Sequence, residues 1–265
     1  MQDKIRRIIE EYTAEYPQRN KTAALWGKPL TAFAFAGDPG FLRLKEVVSS
    51  THALPTDLLE DARSVIAYFL PFSPEINKSN IPGREASRLW AETYIKTNQL
   101  IRDLNLHLQA FLAGKGYGCA LIPATHNFDK ERLISDWSHR HAAFIAGLGG
   151  FGLNNMLITS RGCCGRIGTL VTNLPLPPSP KEDGEYCLAK HDGSCGICAE
   201  RCVNGALGAG SFDRWKCYEM CRYNDSLYPD LGVVDVCGKC LTGIPCSMKN
   251  PVEQRGKKKN DKELS

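Results

Sequence analysis

The spacing of apolar residues predicts helices and short strands over the first 175 residues. Near the N-terminus, apolar positions recur at i, i+3, i+4 and i+7, as in an amphipathic helix. These positions are Ile5, Ile8, Ile9 and Tyr12. Short apolar runs rich in aromatic and β-branched residues predict strands at 30–36 and 64–70, and Pro71 ends the second.

A long helix is predicted over 84–113, where apolar residues form one stripe and Gly114 supplies a stop signal. A further helix is predicted over 129–146, running directly into a glycine-rich stretch. Strands are predicted at 119–123 and 166–171. This mixture of helices and strands indicates one α/β or α+β domain.

Proline residues mark the clearest boundary in the chain. Residues 174–180 read LPLPPSP, which is typical of a stiff, extended connector. We therefore predict a first domain at 1–178 and a second at 179–250. Residues 251–265 are rich in charge and are predicted to be a disordered tail.

Composition places the chain among globular proteins that work in a reducing compartment. Of its 265 residues, 43% are hydrophobic and 23% charged, and the net charge is +4. No apolar run reaches the ~18 residues that a membrane-spanning helix needs, and residues 1–15 lack the apolar core of a secretory signal. We therefore expect a cytoplasmic protein without a membrane partner. In that compartment, twelve cysteines are better explained as metal ligands than as disulfides.

Nine of the twelve cysteines fall within 187–246 and form two groups. The spacing is C-x7-C-x2-C-x3-C, then x14, x3 and x15, and finally C-x2-C-x5-C. A tight C-x2-C-x3-C group places thiolates around one cubane, and in two-cluster ferredoxins the last cysteine of each group ligates the other cluster. The spacing therefore predicts two iron–sulfur clusters, both 4Fe-4S, and a protein that moves electrons.

The ferredoxin pattern divides eight of these cysteines between the two clusters. The first cluster is predicted to be held by Cys187, Cys195, Cys198 and Cys246. The second is predicted to be held by Cys202, Cys217, Cys237 and Cys240. Cys221 remains as an alternate for Cys217. Two zinc sites are the competing interpretation, because paired C-x2-C groups also build zinc ribbons.

Residues 147–152 satisfy the pattern G-x-G-x-x-G, which occurs in dinucleotide-binding folds. That fingerprint also needs a strand before it and an acidic residue about twenty positions after it. Here the preceding segment is helical in pattern, and no acidic residue occurs between Asp136 and Glu182. We reject a dinucleotide site and expect these glycines to let backbone approach a large flat ligand or another chain segment.

Four segments of the chain match sequence motifs that occur in the same order in one known family. Residues 147–158 (GLGGFGLNNMLI) resemble the segment G-L-G-W-I-G-K-N-T-L-L-I of the epoxyqueuosine reductases, relatives of the corrinoid-dependent reductive dehalogenases. Residues 168–174 (GTLVTNL) resemble L-G-E-I-x-T-D-L, and residues 212–217 (FDRWKC) resemble L-D-A-R-R-C. Residues 59–66 (LEDARSVI) are similar to L-x-P-G-A-x-S-V-I. The match spans most of 55–250.

This resemblance implies an α+β protein with a nitroreductase-like cobalamin-binding domain, followed by a bacterial two-cluster ferredoxin-like domain that supplies its electrons. It also implies which residues lie along the corrinoid. They are Gly149, Phe151, Gly152, Asn154, Asn155 and Leu157. Gly150 and Leu153 depart from the tryptophan and lysine of the family.

Reduction at a corrinoid needs a proton, and the family places an aspartate ahead of its glycine-rich segment. Asp136 is our candidate for this catalytic acid, whereas Asp129 is better explained as a surface carboxylate. His139 or His141 could contact the corrinoid or the substrate, although a structural role is favoured for each.

The resemblance also implies partners. We expect a flavodoxin or ferredoxin as electron donor, and a small molecule or a corrinoid as substrate. The larger family members add a helical tRNA-binding extension about where this chain ends, so tRNA is a less favoured alternative as substrate. A pure electron-transfer protein without its own substrate is the alternative function.

Overall fold

The protein is described by a computed structural model that covers residues 1–124 and 126–253. Its helices and strands follow the predicted order closely. The helices are α1 Gln2–Arg19, α2 Pro39–Val47, α3 Pro55–Leu58, α4 Pro74–Ser79, α5 Arg88–Ala113, α6 His139–Ile145, α7 Leu188–Asp192, α8 Ile197–Glu200 and α9 Arg214–Leu227. The strands are β1 Leu30–Phe35, β2 Ser64–Pro71, β3 Cys119–Leu121, β4 Gly150–Phe151, β5 Leu157–Ile158 and β6 Gly165–Thr172. The fold is therefore mixed α+β.

The described chain divides into two compact units that take alternating segments of the sequence. The first unit contains 1–70, 97–148 and 165–182, and the second contains 71–96, 149–164 and the residues from 183 onward. The linear domains proposed from the sequence, 1–178 and 179–250, remain a prediction. Of the proposed tail 251–265, only 251–253 fall within the described residues.

The first unit is built on a four-stranded sheet with the order β1-β2-β6-β3. The pairs β1–β2 and β3–β6 are antiparallel. All eight residues of β2 are buried, which explains its uninterrupted apolar sequence. Residues from α1, α5 and the sheet form one hydrophobic core, represented by Ile5, Phe33, Ile66, Leu104 and Leu170.

The helix predicted over 129–146 is wrong in its first half. Only His139–Ile145 is helical, and Ser138 caps this helix by accepting from the backbone N–H of His141. Upstream, the Asp129 carboxylate accepts two backbone N–H groups in a turn, and Leu133 has φ +52°. Local side-chain hydrogen bonds of this kind compete with helix formation, which the apolar spacing does not reveal.

The second unit consists mainly of short helices and loops, together with the β4–β5 hairpin. In this hairpin Gly150 pairs with Ile158, and Phe151 pairs with Leu157. The longest helix that lies wholly in this unit is α9. Its N-terminus is capped by the Asp213 carboxylate, which accepts from the backbone N–H groups of Trp215 and Lys216. Within the described ranges, no helix is both long and apolar enough to cross a membrane.

Candidate functional site: two groups of cysteines in the second unit

The four cysteines predicted for the first cluster line one cavity. Cys187, Cys195, Cys198 and Cys246 are among the residues that line this cavity, which has a volume of about 20 Å³ and is partly open to solvent. Burial raises the pKa of Cys198 to about 11, and repulsion from Cys246, Cys187 and Cys195 adds to the rise. The Cys198 thiol therefore resists ionisation unless a cation is present, and ligation by iron would supply that positive charge.

The cysteines predicted for the second cluster also lie close enough to influence one another. Burial raises the pKa of Cys240, and charges on Cys237, Cys217 and Cys202 raise it further. Cys221 belongs to the same group, because a hydrogen bond with Cys217 is the largest cause of its own raised pKa. The four-residue spacing of these two places them on one face of α9. Both thiols are therefore candidates for the fourth ligand of the second group.

Backbone groups are already aimed at one of the predicted ligands. The N–H groups of Ala206 and Leu207 donate to Cys202 Sγ over 3.2 and 3.3 Å. Such donors offset negative charge on a thiolate. Gly238, between Cys237 and Cys240, has φ +73°, and a Cβ there would lie 2.3 Å from the Trp90 ring. Glycine is therefore required in this C-x2-C turn by both conformation and space.

Cys163 forms a contact that the sequence did not suggest. It is fully buried and hydrogen bonds to Cys246, which raises the pKa of Cys163 and lowers that of Cys246. The backbone N–H of Cys163 also donates to the Cys246 carbonyl over 2.9 Å. Gly162 permits this approach, because a Cβ there would lie 2.4 Å from the Ser247 carbonyl oxygen. The segment around Cys163 thus holds the last predicted ligand in place.

The donor chemistry of both groups suits an iron–sulfur cluster. Each group offers at least four cysteine sulfurs, and the first surrounds an open cavity. Among the described residues, no three His, Cys, Asp or Glu side chains are arranged to hold a single metal ion. A four-iron cluster is larger than one metal ion, so the absence of a single-ion site among the described residues does not bear on a cluster site.

The glycines of the 147–152 segment approach other parts of the chain. A Cβ on Gly149 would lie 2.0 Å from the Ile158 carbonyl oxygen, and one on Gly150 would lie 2.9 Å from the Tyr186 ring. A Cβ on Gly152 would lie 2.7 Å from Asn154 Oδ1. Close packing within the β4–β5 hairpin, and of Gly150 against Tyr186, therefore accounts for these glycines without a ligand.

The six residues predicted to lie along a corrinoid have different surroundings. Gly152, Asn154 and Leu157 are buried, whereas Gly149, Phe151 and Asn155 retain solvent exposure. The Asn154 amide donates to the Cys240 carbonyl over 2.9 Å, so this side chain supports a cysteine loop. As a set, these residues fit a cobalamin only in part.

Asp136 is held by groups of the first unit. Its carboxylate accepts from the Thr51 hydroxyl over 2.6 Å, and its backbone N–H donates to the His126 carbonyl. Asp136 remains a candidate acid, fixed in position by Thr51. Asp129 instead closes a local turn through its carboxylate, as expected for a structural residue.

The histidines near Asp136 are held as neutral rings. His139 Nδ1 lies 2.8 Å from Thr169 Oγ1, and His139 Nε2 lies 2.9 Å from the Pro123 carbonyl, which can only accept. Nε2 therefore carries the proton and Nδ1 accepts from Thr169. Burial lowers the pKa of His139 to about 4, and burial also lowers that of His141 to about 4.

These lowered pKa values predict acid sensitivity below pH 6.5. An unfolded chain takes up protons near pH 6.5, whereas the folded rings stay neutral until about pH 4, so stability is lost as the pH falls between these values. The loss due to His139 is up to about 3 kcal/mol. We expect His139→Gln to reduce the difference in free energy of unfolding between pH 7 and pH 4.5, measured by anaerobic urea titration. His107→Gln, at an exposed position, is the control; an equal pH dependence in both variants would contradict the assignment.

Comparison with known proteins is consistent with this architecture. No protein-family model matches the chain. A protein of Geobacillus stearothermophilus, described only as an uncharacterized protein in the gldA 3′ region, is 39% identical over 66 residues. That match covers 24% of this chain and 27% of the relative.

Solved structures of epoxyqueuosine reductases superpose on most of the chain. The Bacillus subtilis enzyme, with its catalytic aspartate loop swung out of the active site, has 19% identity and a TM-score of 0.54. It covers 89% of this chain, which spans 64% of that enzyme. A complex with an epoxyqueuosine-modified tRNA-Tyr stem loop has a TM-score of 0.51 at 19% identity and the same coverage of both chains. The Streptococcus thermophilus enzyme has 17% identity and a TM-score of 0.50, with coverage of 90% and 66%. The chain therefore has the α+β fold of the epoxyqueuosine reductases.

Proposed function

We propose that this chain is an iron–sulfur oxidoreductase of the epoxyqueuosine reductase type, with two 4Fe-4S clusters that supply electrons to a bound cobalamin. The observation that carries the proposal is that nine cysteines form two groups within one unit. The cysteines of the first group line an open cavity. A nitroreductase-like domain at 1–178 and a ferredoxin-like domain at 179–250 are part of this proposal.

The proposed ligands follow the two groups. Cys187, Cys195, Cys198 and Cys246 would hold the first cluster, and Cys202, Cys237 and Cys240 with Cys217 or Cys221 the second. Such clusters supply one-electron transfer at a potential set by their surroundings. The N–H groups of Ala206 and Leu207 would stabilise the added negative charge through Cys202.

Asp136 is the proposed proton donor for the reduction. Thr51 holds its carboxylate by a hydrogen bond, which fixes the position of one oxygen and leaves the other for a proton. Electrons would come from a one-electron carrier such as a flavodoxin or ferredoxin. The epoxyqueuosine in tRNA is a candidate substrate because one similar structure contains the modified stem loop.

A second function is favoured by the partial fit to cobalamin. Three of the six predicted contact residues are buried, and Gly149 packs against the Ile158 backbone. These observations support a protein that transfers electrons to a corrinoid protein or another redox partner and has no substrate of its own.

Anaerobic reconstitution with iron and sulfide, followed by addition of cobalamin, separates these functions. The proposal predicts a brown protein with broad absorption near 400 nm, cobalamin that stays bound through gel filtration, and its reduction when the clusters are reduced. Reducible clusters without cobalamin binding would replace the first function with the second. A colourless protein containing zinc would overturn both. Turnover of an epoxyqueuosine stem loop by cobalamin-loaded protein tests the substrate.

A further inference from the structure

Lys239 is a buried cation between two predicted cluster ligands. It lies one residue before Cys240 and two after Cys237, and only 1% of its surface is exposed. Its ammonium group donates to the carbonyl oxygens of Asn80 and Pro82 over 3.0 and 2.7 Å. Lysine is rarely buried to this extent unless its charge is paired.

In the part of the chain that the structure describes, no carboxylate forms an ion pair with this charge. Among the described ion pairs, none involves Lys239, and its two hydrogen-bond acceptors are neutral carbonyls. The charged groups that influence it are Cys237, Arg201 and Glu85. Taking an unpaired ammonium out of water costs several kcal/mol. A negatively charged group beside Lys239 would offset that cost.

The ammonium group is also fixed in place. Asn80 is fully buried, and its side-chain amide donates to the Cys237 carbonyl over 3.0 Å. Its backbone carbonyl oxygen accepts from Thr242 Oγ1 over 3.1 Å. The same carbonyl oxygen accepts from Lys239. A charge held by this network cannot move into water when the charge nearby changes, so its electrostatic effect is retained.

We propose that Lys239 is the internal counter-ion of the cluster held by Cys202, Cys237, Cys240 and Cys217 or Cys221, and that it raises the reduction potential of this cluster above that of the other. The inference rests on the proposed function, because it needs that cluster to be present. A four-thiolate cluster carries net negative charge, and reduction adds one electron without breaking a bond. A fixed positive charge nearby favours the reduced form.

The test is a redox titration of the full-length, anaerobically reconstituted protein with dithionite as reductant. Electron paramagnetic resonance monitors the reduced clusters during the titration. Lys239→Gln keeps a hydrogen-bond donor but removes the charge. We expect about a tenfold lower ratio of reduced to oxidised second cluster at a fixed potential, which corresponds to about 59 mV. Lys239→Arg should keep the wild-type value. Lys216→Gln, at an exposed lysine beside Cys217, is the matched control and should also keep it.

A second measurement does not depend on the folding of Lys239→Gln. Cys198→Ala and Cys240→Ala each leave one cluster, and the cluster retained in Cys198→Ala must have the higher potential. Full cluster content with an unchanged potential in Lys239→Gln, or a lower potential for the cluster retained in Cys198→Ala, would overturn the role of Lys239 alone. Absence of iron and sulfide from the reconstituted wild-type protein would overturn the proposed function as well.

Discussion

Replacing Cys198 with alanine should remove about half of the bound iron and sulfide and about half of the absorption near 400 nm. Cys198 lines the cavity with Cys187, Cys195 and Cys246, so its loss leaves the first group with three ligands. The second group should still bind its cluster. Iron and sulfide analysis after anaerobic reconstitution measures this loss directly.

The matched controls use other cysteines of the same chain. Cys119 lies on β3 of the first unit, away from both groups in the sequence, and Cys119→Ser should leave the iron content unchanged. Comparing Cys217→Ser with Cys221→Ser identifies the fourth ligand of the second group, because only one of them should lose a cluster. Full iron content in Cys198→Ala would exclude the proposed first site.

Replacing Gly149 with alanine should destabilise the second unit by about 3 kcal/mol or more, because the new Cβ would lie 2.0 Å from the Ile158 carbonyl oxygen. Backbone cannot move aside as a flexible side chain can, so the β4–β5 hairpin must shift. Urea titration of the reconstituted protein, followed by loss of cluster absorption, measures the change in the free energy of unfolding.

Gly210→Ala is the control, because nothing lies within 4 Å of a Cβ at that position. It should be close to neutral. If Gly149→Ala instead keeps normal stability but loses cobalamin, then Gly149 serves the ligand rather than the hairpin. The two interpretations of this glycine therefore predict opposite results for stability.

The periodic elements of the first unit were predictable because their side chains meet one buried face. Apolar spacing correctly identified α1, the four strands of the sheet and most of α5. It failed at 129–138, where the turn around Asp129 and the cap at Ser138 depend on hydrogen bonds between neighbouring polar groups. Such bonds leave no apolar period in the sequence.

Two supporting residues of the cysteine groups were missed for a different reason. The roles of Cys163 and Asn154 come from contacts with residues more than eighty positions away. A lysine between the predicted ligands Cys237 and Cys240 can be seen in the sequence, but its burial cannot. Lys239 is shielded from solvent because Asn80 and Pro82 pack against it, and the sequence around Lys239 does not indicate these partners.

The sequence alone was sufficient to identify the cysteine groups and the family whose fold the chain shares. Short spacings limit how far two thiols can separate, so C-x2-C and C-x3-C constrain local geometry before folding is considered. The tertiary structure decided which distant segments enter each unit and which glycines pack against other parts of the chain. It also decided that Lys239, between the predicted ligands Cys237 and Cys240, is buried. These features depend on long-range packing, whose partners are chosen by the whole fold.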